Sequence, residues 1–418
     1  MKPVTIHVAI PSMNEAEWLP LTMESLLSES IESGSFWICV NQPDSWWSDP
    51  GKKHVCFNNQ QTLTYLEALQ APGLHVLDYS SRGKGWGGKK TGVGQARRVL
   101  MDAINQYAGP EDIILSMDAD TLFDDGYLAS VVRFFEDHPQ AMALSNPYYH
   151  CLTGDEVLDR AILRYEIYMR YYAINMWRIG SPYSFTALGS AIALKVKNYR
   201  KAGGITAKKS GEDFYFLQKL RKVGWVSNHN THMVYPGTRF SDRVFFGTGP
   251  ALIKGSKGDW ESYPVYGHVL FDRVKATYDL FPMLYNNKVD TPMSAFLTEQ
   301  FNEADPFSSL RRNATSVPLF VKACHQKIDG LRILQFLKSE NKALAGSDED
   351  HLLDFLQCFY PECLMSNHRH QFLKDGLSGA ETKQLRALDF SKTPLGLLDK
   401  LRRMLQRIES NYQKKDLS

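Results

Sequence analysis

The sequence has little cysteine, no long apolar run and almost no net charge, and each scarcity excludes a class of protein. Six cysteines (Cys39, Cys56, Cys151, Cys324, Cys358, Cys363) in 418 residues are too few for a disulfide framework. Cys358, Cys363, His368 and His370 lie close in sequence but match no standard zinc spacing, so structural cysteines and surface histidines are expected. No stretch approaches the roughly 20 apolar residues of a membrane helix. The opening Met1-Lys2-Pro3-Val4 leads into an extended run with no signal-peptide pattern. The expectation is a cytoplasmic chain with no transmembrane segment, for which peripheral membrane contact stays open. On the same ground the Asn313-Ala314-Thr315 sequon carries no meaning. A formal net charge of +2 gives no global pull toward nucleic acid, so none is expected as a partner and any anion binding has to be local. Repeats and low-complexity tracts are also missing.

What is present is an ordinary globular composition, 43% hydrophobic and 22% charged, in a length that suits two domains or one with an appendage. The first half alternates strands and helices. Val4 to Pro11, Phe36 to Val40, Leu74 to Tyr79 and Asp112 to Met117 are short and rich in apolar residues, as buried strands are. Asn14 stands three residues before Glu17, a capping-box pattern for a helix burying Trp18, Leu21, Leu26 and Leu27. A second helix spans Val93 to Tyr107. This alternation predicts an α/β fold with a parallel sheet and ligands at the carboxyl ends of its strands.

Beyond residue 150 the period changes. Thr153 and Glu156 suggest a cap for a long helix carrying Tyr165, Tyr168 and Tyr172, whose spacing favours packing over sugar stacking. Phe185 to Val196 reads as a strand, and Glu212 opens a helix that stops at Gly224. The remainder is mainly helical: Asp329 to Leu337, His351 to Phe359 and Leu397 to Ile408. The expected domains are residues 1–245, catalytic, and 246–418, helical and of unassigned role.

Three features carry chemistry. Asp118-Ala119-Asp120 follows a buried strand directly, and two carboxylates so spaced can share one hard divalent cation, Mn²⁺ or Mg²⁺, with a diphosphate. Asp124 and Asp125, a few residues on, read as helix caps. The run Ser81 to Gly92 places four cations among glycines that allow close backbone approach to phosphate. It also satisfies G-x-G-x-x-G and G-x-x-x-x-G-K, but Lys90 stands where a P-loop needs Ser or Thr, and no acidic residue falls where a dinucleotide fold needs one. Gly211-Glu212-Asp213 puts carboxylates at a helix start, as dipole partners or, facing a metal across a cleft, as a general base.

In order, the strand Val4 to Glu15, the glycine loop running into Gly92 to Arg97, the D-x-D, Gly189 and Glu212-Asp213 resemble the family 2 glycosyltransferases over about residues 4 to 235. The resemblance implies a GT-A fold, a Rossmann-like mixed sheet flanked by helices, here with a mainly helical C-terminal extension. It implies inverting transfer from a nucleotide-diphospho-sugar donor to an unidentified acceptor, saccharide or lipid-linked. Pro11, Ser12, Asn14, Glu15, Asn41, Lys84, Arg97, Asp118 and Gly189 would bind the nucleotide sugar. Asp118 and Asp120 would hold the metal, and Asp213, supported by Glu212, would be the base. Asn41 stands where the family usually has aspartate, so the uracil preference is not carried over. Pro236 stands where many relatives place a metal-binding histidine; His229 and His232 are the nearby substitutes. The polar segment from Arg239 to Gly249 reads as a lid or a linker. The rival functions are a sugar-nucleotide nucleotidyltransferase, a P-loop-like nucleotide hydrolase and a catalytically silent GT-A binding module.

Overall fold

The computed structural model describes residues 4–31, 33–88, 91–208, 211–241, 247–366 and 376–417. Lys89, Lys90, Asp242, Arg243, His368 and His370, all drawn into the expectations above, lie outside the described residues. The strands are β1 (Ile6–Ser12), β2 (Gly34–Asn41), β3 (Leu74–Tyr79), β4 (Ile113–Ser116), β5 (Leu122–Phe123), β6 (Ala143–Ser145), β7 (Ile192–Lys195), β8 (Val226–Ser227) and β9 (Val234–Tyr235). Helices α1 (Leu19–Ser28), α2 (Lys53–Leu69), α3 (Val93–Tyr107), α4 (Tyr127–Asp137), α5 (Glu156–Arg178), α6 (Val196–Ala202) and α7 (Glu212–Val223) alternate with them.

Every residue of β1 is buried, and so is β2 apart from Gly34, which is why both are rich in apolar residues. Seven strands form one sheet in the order β3-β2-β1-β4-β7-β6-β8. β1 is parallel to β2 and β4, and β2 to β3, as the sequence pattern predicts; β7 runs antiparallel to both β4 and β6, so the sheet is mixed. Helix α3 packs on β1 and β2, and α2 on β2. The result is the mixed sheet flanked by helices that the family resemblance implies.

Local expectations held unevenly. The bounds of β3 and α3 match the sequence reading, whereas only Ile192–Lys195 of the Phe185 to Val196 stretch is strand. The α1 capping box does not form: Asn14 has φ 61° and its backbone N–H donates to Asn59 Oδ1 at 2.8 Å, so the helix begins only at Leu19. The buried face also differs from the expected one. Leu19, Met23 and Leu26 are buried, while Trp18, Leu21 and Leu27 are exposed. Nor does Asp124 cap α4. Glu29 does so from a distance, accepting from the N–H groups of Gly126 and Leu128 at 2.6 and 3.0 Å, which leaves Asp124 to accept from Met233 N–H and the Tyr235 hydroxyl.

By compactness the chain divides into Met1–Ile162, Phe185–Gly258 and Asp416–Ser418 as one unit, and Leu163–Ser184 with Asp259–Lys415 as another. This differs from a single cut at residue 245, because the second half of α5 belongs with the C-terminal helices. The second unit is helical, and its polar core explains that membership. From α5, Glu166 accepts from Arg170 Nε at 2.8 Å and from Arg402 Nη1 at 3.2 Å; Arg170 also donates to Glu409 at 2.7 Å. Tyr165 and Tyr168 stack, Tyr172 tilts against Tyr168, and all three meet Tyr263 or Tyr266 edge-on, with ring centroids 5.0 to 6.5 Å apart. Their contacts are those of core packing. No described helix is long and apolar enough to cross a membrane.

Candidate active site

The D-x-D turn is fixed by the strand it follows and by α1. Met117 N–H continues the β1 ladder to Ala9 O at 3.1 Å, and the Thr22 hydroxyl donates to Ala119 O at 2.9 Å. Those bonds hold the turn by its backbone and leave the two carboxylates to other partners.

Arg97, in the first turns of α3, is the hub for the first carboxylate. Its Nη2 donates to Asp118 Oδ1 at 2.5 Å, its Nε to Glu212 Oε1 at 2.8 Å, and its Nη1 to Ser116 Oγ and Gly189 O at 2.6 and 2.7 Å. Residue 189 has to be glycine, because a Cβ there would stand 2.2 Å from Arg97 Nη2. Burial disfavours the guanidinium charge, but Asp118, Glu212 and Asp213 outweigh it, so Arg97 is held charged. One buried arginine thus ties the end of β4 to the start of α7, which brings four sequence-predicted residues, Arg97, Asp118, Gly189 and Glu212, into direct contact.

Asp213 follows Glu212 in the first turn of α7, and its Oδ1 accepts from Phe214 N–H at 2.7 Å. Burial raises its carboxyl, and Glu212 raises it further against the pull of Arg97, so it is pushed up to about 7. A carboxyl that titrates near neutrality accepts a proton more readily than an ordinary one.

Asp120 has a different partner. Arg239, in the loop after β9, donates from Nη2 to Asp120 Oδ2 at 2.6 Å and to both oxygens of Glu15 at 2.6 and 2.7 Å. Its guanidinium lies 5.3 Å from the ring centre of Trp18. The loop passes so near that a Cβ at Gly237 would fall 2.8 Å from Asp120 Oδ2. That close approach accounts for Pro236-Gly237 where the family pattern has a histidine. His229 and His232 line a groove with His138 and Arg133, and neither joins Asp118 and Asp120 in a three-ligand group among the described residues.

At the ends of β2 and β3, Asn41 is fully engaged within the chain. Its Nδ2 donates to Ser12 O and Cys39 O at 3.0 and 3.2 Å, and its Oδ1 accepts from Trp86 Nε1 at 3.2 Å. Trp86 in turn stacks on Tyr79 with centroids 4.1 Å apart. The glycine loop is pinned here: Gly83 N–H donates to Asp44 Oδ1 at 2.7 Å, and Trp86 N–H to Gln42 O at 2.8 Å. Lys84 pairs with Asp78 at 3.0 Å. Burial would raise the Asp78 carboxyl, but the Ser81 and Ser80 N–H groups, the Ser81 hydroxyl and Lys84 hold it at about 2.

The carboxylates fit a hard divalent cation. Asp118 Oδ2 and Asp120 Oδ1 accept no hydrogen bond from any described residue, so each side chain keeps one oxygen to give. Nearby, Ser12 Oγ, Thr121 Oγ1 and Arg239 Nε are buried without a partner among the described residues. Orphaned polar atoms of this kind are what a polar ligand would satisfy.

Sequence reasoning assigned no site role to Arg239 or Trp86. Arg239 lies 224 residues from Glu15 in a polar loop, and no spacing rule connects the two. Trp86 was visible as the one aromatic in the glycine loop, and that was the only signal.

No protein-family model matches the chain, and no curated protein does. Among solved structures it is similar to residues 1–349 of S. aureus TarS in complex with UDP-GlcNAc, at 12% identity and TM-score 0.41, covering 82% of this chain and 92% of that one. It is also similar to the mannosyltransferase PcManGT from Pyrobaculum calidifontis in complex with GDP-Man and Mn²⁺, at 14% identity and TM-score 0.34, covering 86% and 82%. A third is GalNAc-T7 with UDP, GalNAc and Mn²⁺, at 12% identity and TM-score 0.37, covering 73% of this chain and 55% of that one. With identities this low, none of them supports a residue-by-residue assignment, and this chain's own side chains have to carry the reading.

Proposed function

We propose that the chain is a GT-A glycosyltransferase that moves a sugar from a nucleotide-diphospho-sugar to a hydroxyl on a saccharide or lipid-linked acceptor, with inversion. The observation that carries this is the Arg97 hub, which fastens Asp118 of the strand-end pair to Glu212 and sets the raised carboxyl of Asp213 beside them. Such transfer asks for two things at once: negative charge stabilised on a leaving diphosphate, and a proton taken from the attacking hydroxyl. Asp118 and Asp120 would hold Mn²⁺ or Mg²⁺, whose chemistry there is to neutralise the diphosphate. Asp213 takes the acceptor's proton, and Glu212, locked on Arg97, keeps the start of α7 in place. A single base opposite the leaving group implies inversion.

At the nucleotide end, Asn41 acts by fixing Trp86 over Tyr79, which offers an aromatic platform tied through Asn41 to the end of β1. Lys84 and the loop around it supply positive charge toward phosphate, and Pro11, Asn14 and Glu15 shape the β1 side of the cleft.

The test is a thermal-shift panel of UDP- and GDP-sugars, each with Mn²⁺ or with EDTA. A ligand at a hundredfold its Kd should add about 2.7 kcal/mol of stability. A shift that needs Mn²⁺, and that Asp120→Ala abolishes, supports the reading. No shift with any nucleotide sugar contradicts it, and a shift as large in EDTA removes the metal from it.

A further inference from the structure

Asp120 does not face an open space; it faces a guanidinium. Arg239 makes three contacts of 2.6 to 2.7 Å with Glu15 and Asp120, at distances typical of charge-assisted bonds. Burial would lower its pKa, but Asp120 and Glu15 more than offset this, so the pair of carboxylates holds the guanidinium charged. The two aspartates of the D-x-D are unequally open as well, with 37% of the Asp118 side chain exposed and 13% of the Asp120 side chain. Trp18 backs the guanidinium on one side, and Gly237 lets the loop close onto Asp120.

We propose that Arg239 is a resident counter-cation of Asp120, which a divalent cation must displace before the D-x-D can hold it with both carboxylates. This builds on the reading of Asp118 and Asp120 as metal carboxylates. The charges explain why displacement is feasible. Arg239 reaches Asp120 alone of the two aspartates, whereas a doubly charged ion can take one oxygen from Asp118 and one from Asp120, so it satisfies the D-x-D better than the guanidinium does. The pairing that Arg239 gives up is itself incomplete, since its Nε is buried without a partner among the described residues. Once released, the guanidinium is a free cation beside the metal site, available to a diphosphate. Any diphosphate that takes it strengthens metal binding, and by linkage the metal strengthens diphosphate binding to the same degree. Arg239 therefore couples the two ligands.

The experiment titrates MnCl₂ into the full chain without nucleotide and reads free Mn²⁺ by electron paramagnetic resonance. Arg239→Gln should bind Mn²⁺ about tenfold more tightly than the wild type, because the internal competitor is gone. Trp18→Ala keeps every charge and loosens only the backing of the guanidinium, so it should tighten Mn²⁺ binding in the same direction by a smaller factor. That variant decides the matter if Arg239→Gln fails to fold. Equal or weaker Mn²⁺ binding in the variants, or none in any of them, overturns the proposal. Tight Mn²⁺ binding by Arg239→Gln without binding of any nucleotide sugar would leave this inference standing and remove the transferase reading. Nucleotide-sugar binding without Mn²⁺ binding would do the reverse.

Discussion

Arg97 and Arg402 are both almost wholly buried among carboxylates, yet one network is closed and the other open. Around Arg402, three arginines (Arg170, Arg402, Arg403) meet three carboxylates (Glu166, Asp399, Glu409), all three of the latter buried. In these pairs arginine and carboxylate match one for one. Around Arg97, one arginine faces Asp118, Glu212 and Asp213, two of which reach solvent. That surplus of negative charge sits at the carboxyl end of β4. A balanced buried network gives the fold its register and little else. An unbalanced one at a strand end is unfinished without a cation or a proton, and that is the physical difference between an ionic core and an active site.

The comparison can be broken most forcefully at the closed network. Arg402→Met should take a buried cation out from between Glu166 and Asp399 and cost about 3–5 kcal/mol in urea unfolding. Binding of nucleotide sugar by the folded fraction should be unchanged. A loss below about 1 kcal/mol would mean that the network is not structural.

Arg97→Met should lower stability by a comparable or slightly smaller amount, about 3 kcal/mol, since Glu212 is left buried and unpaired. Unlike the Arg402 variant, it should also weaken binding of nucleotide diphosphate by about tenfold or more, because Asp118 loses its anchor. Calorimetry on both variants sharpens the contrast; equal effects on binding would erase it.

The pH dependence of stability should separate the two networks more finely. The raised pKa of Asp213 means that the folded chain holds this proton more tightly than the unfolded one. Its contribution to stability is therefore full below the ordinary aspartate range and is lost as pH rises through about 7. Asp213→Asn cannot lose that proton, so its stability relative to wild type should climb between pH 5 and 8. A flat difference across that range would mean that the carboxyl is not raised.

The smallest effect belongs to Lys84→Ala. Its ammonium is mostly exposed and tethered to Asp78, so the loss in diphosphate affinity should be about tenfold at most and should fade with added salt. A salt-independent loss would place Lys84 in direct, desolvated contact with phosphate.

The parts of the fold most legible in the sequence were those set by local pattern. β3 and α3 could be bounded from apolar runs and helical period, and the D-x-D could be placed at the end of a strand. What failed were features decided by distant side chains. Asn14 is held by Asn59 and does not cap α1, and α4 is capped by Glu29 instead of its neighbour Asp124. At the site, Arg97, Asp118, Gly189 and Glu212 were each named from motif order, but that one guanidinium joins all four is a tertiary fact. Arg239 came out only as part of a polar loop, because its partners Glu15 and Asp120 lie in other elements far along the chain.

The most direct test of the central claim is slow hydrolysis of a nucleotide sugar, with water in the acceptor's place, comparing wild type and Asp213→Asn in Mn²⁺. The wild-type rate should rise with pH through about 7 and then level off, as the Asp213 carboxyl loses its proton. Asp213→Asn should bind the same donor with little change in KM and hydrolyse it at least ~10²-fold more slowly. Hydrolysis by Asp213→Asn at the wild-type rate, with the same pH profile, would contradict the assignment of this carboxylate as the base and remove the support for inversion.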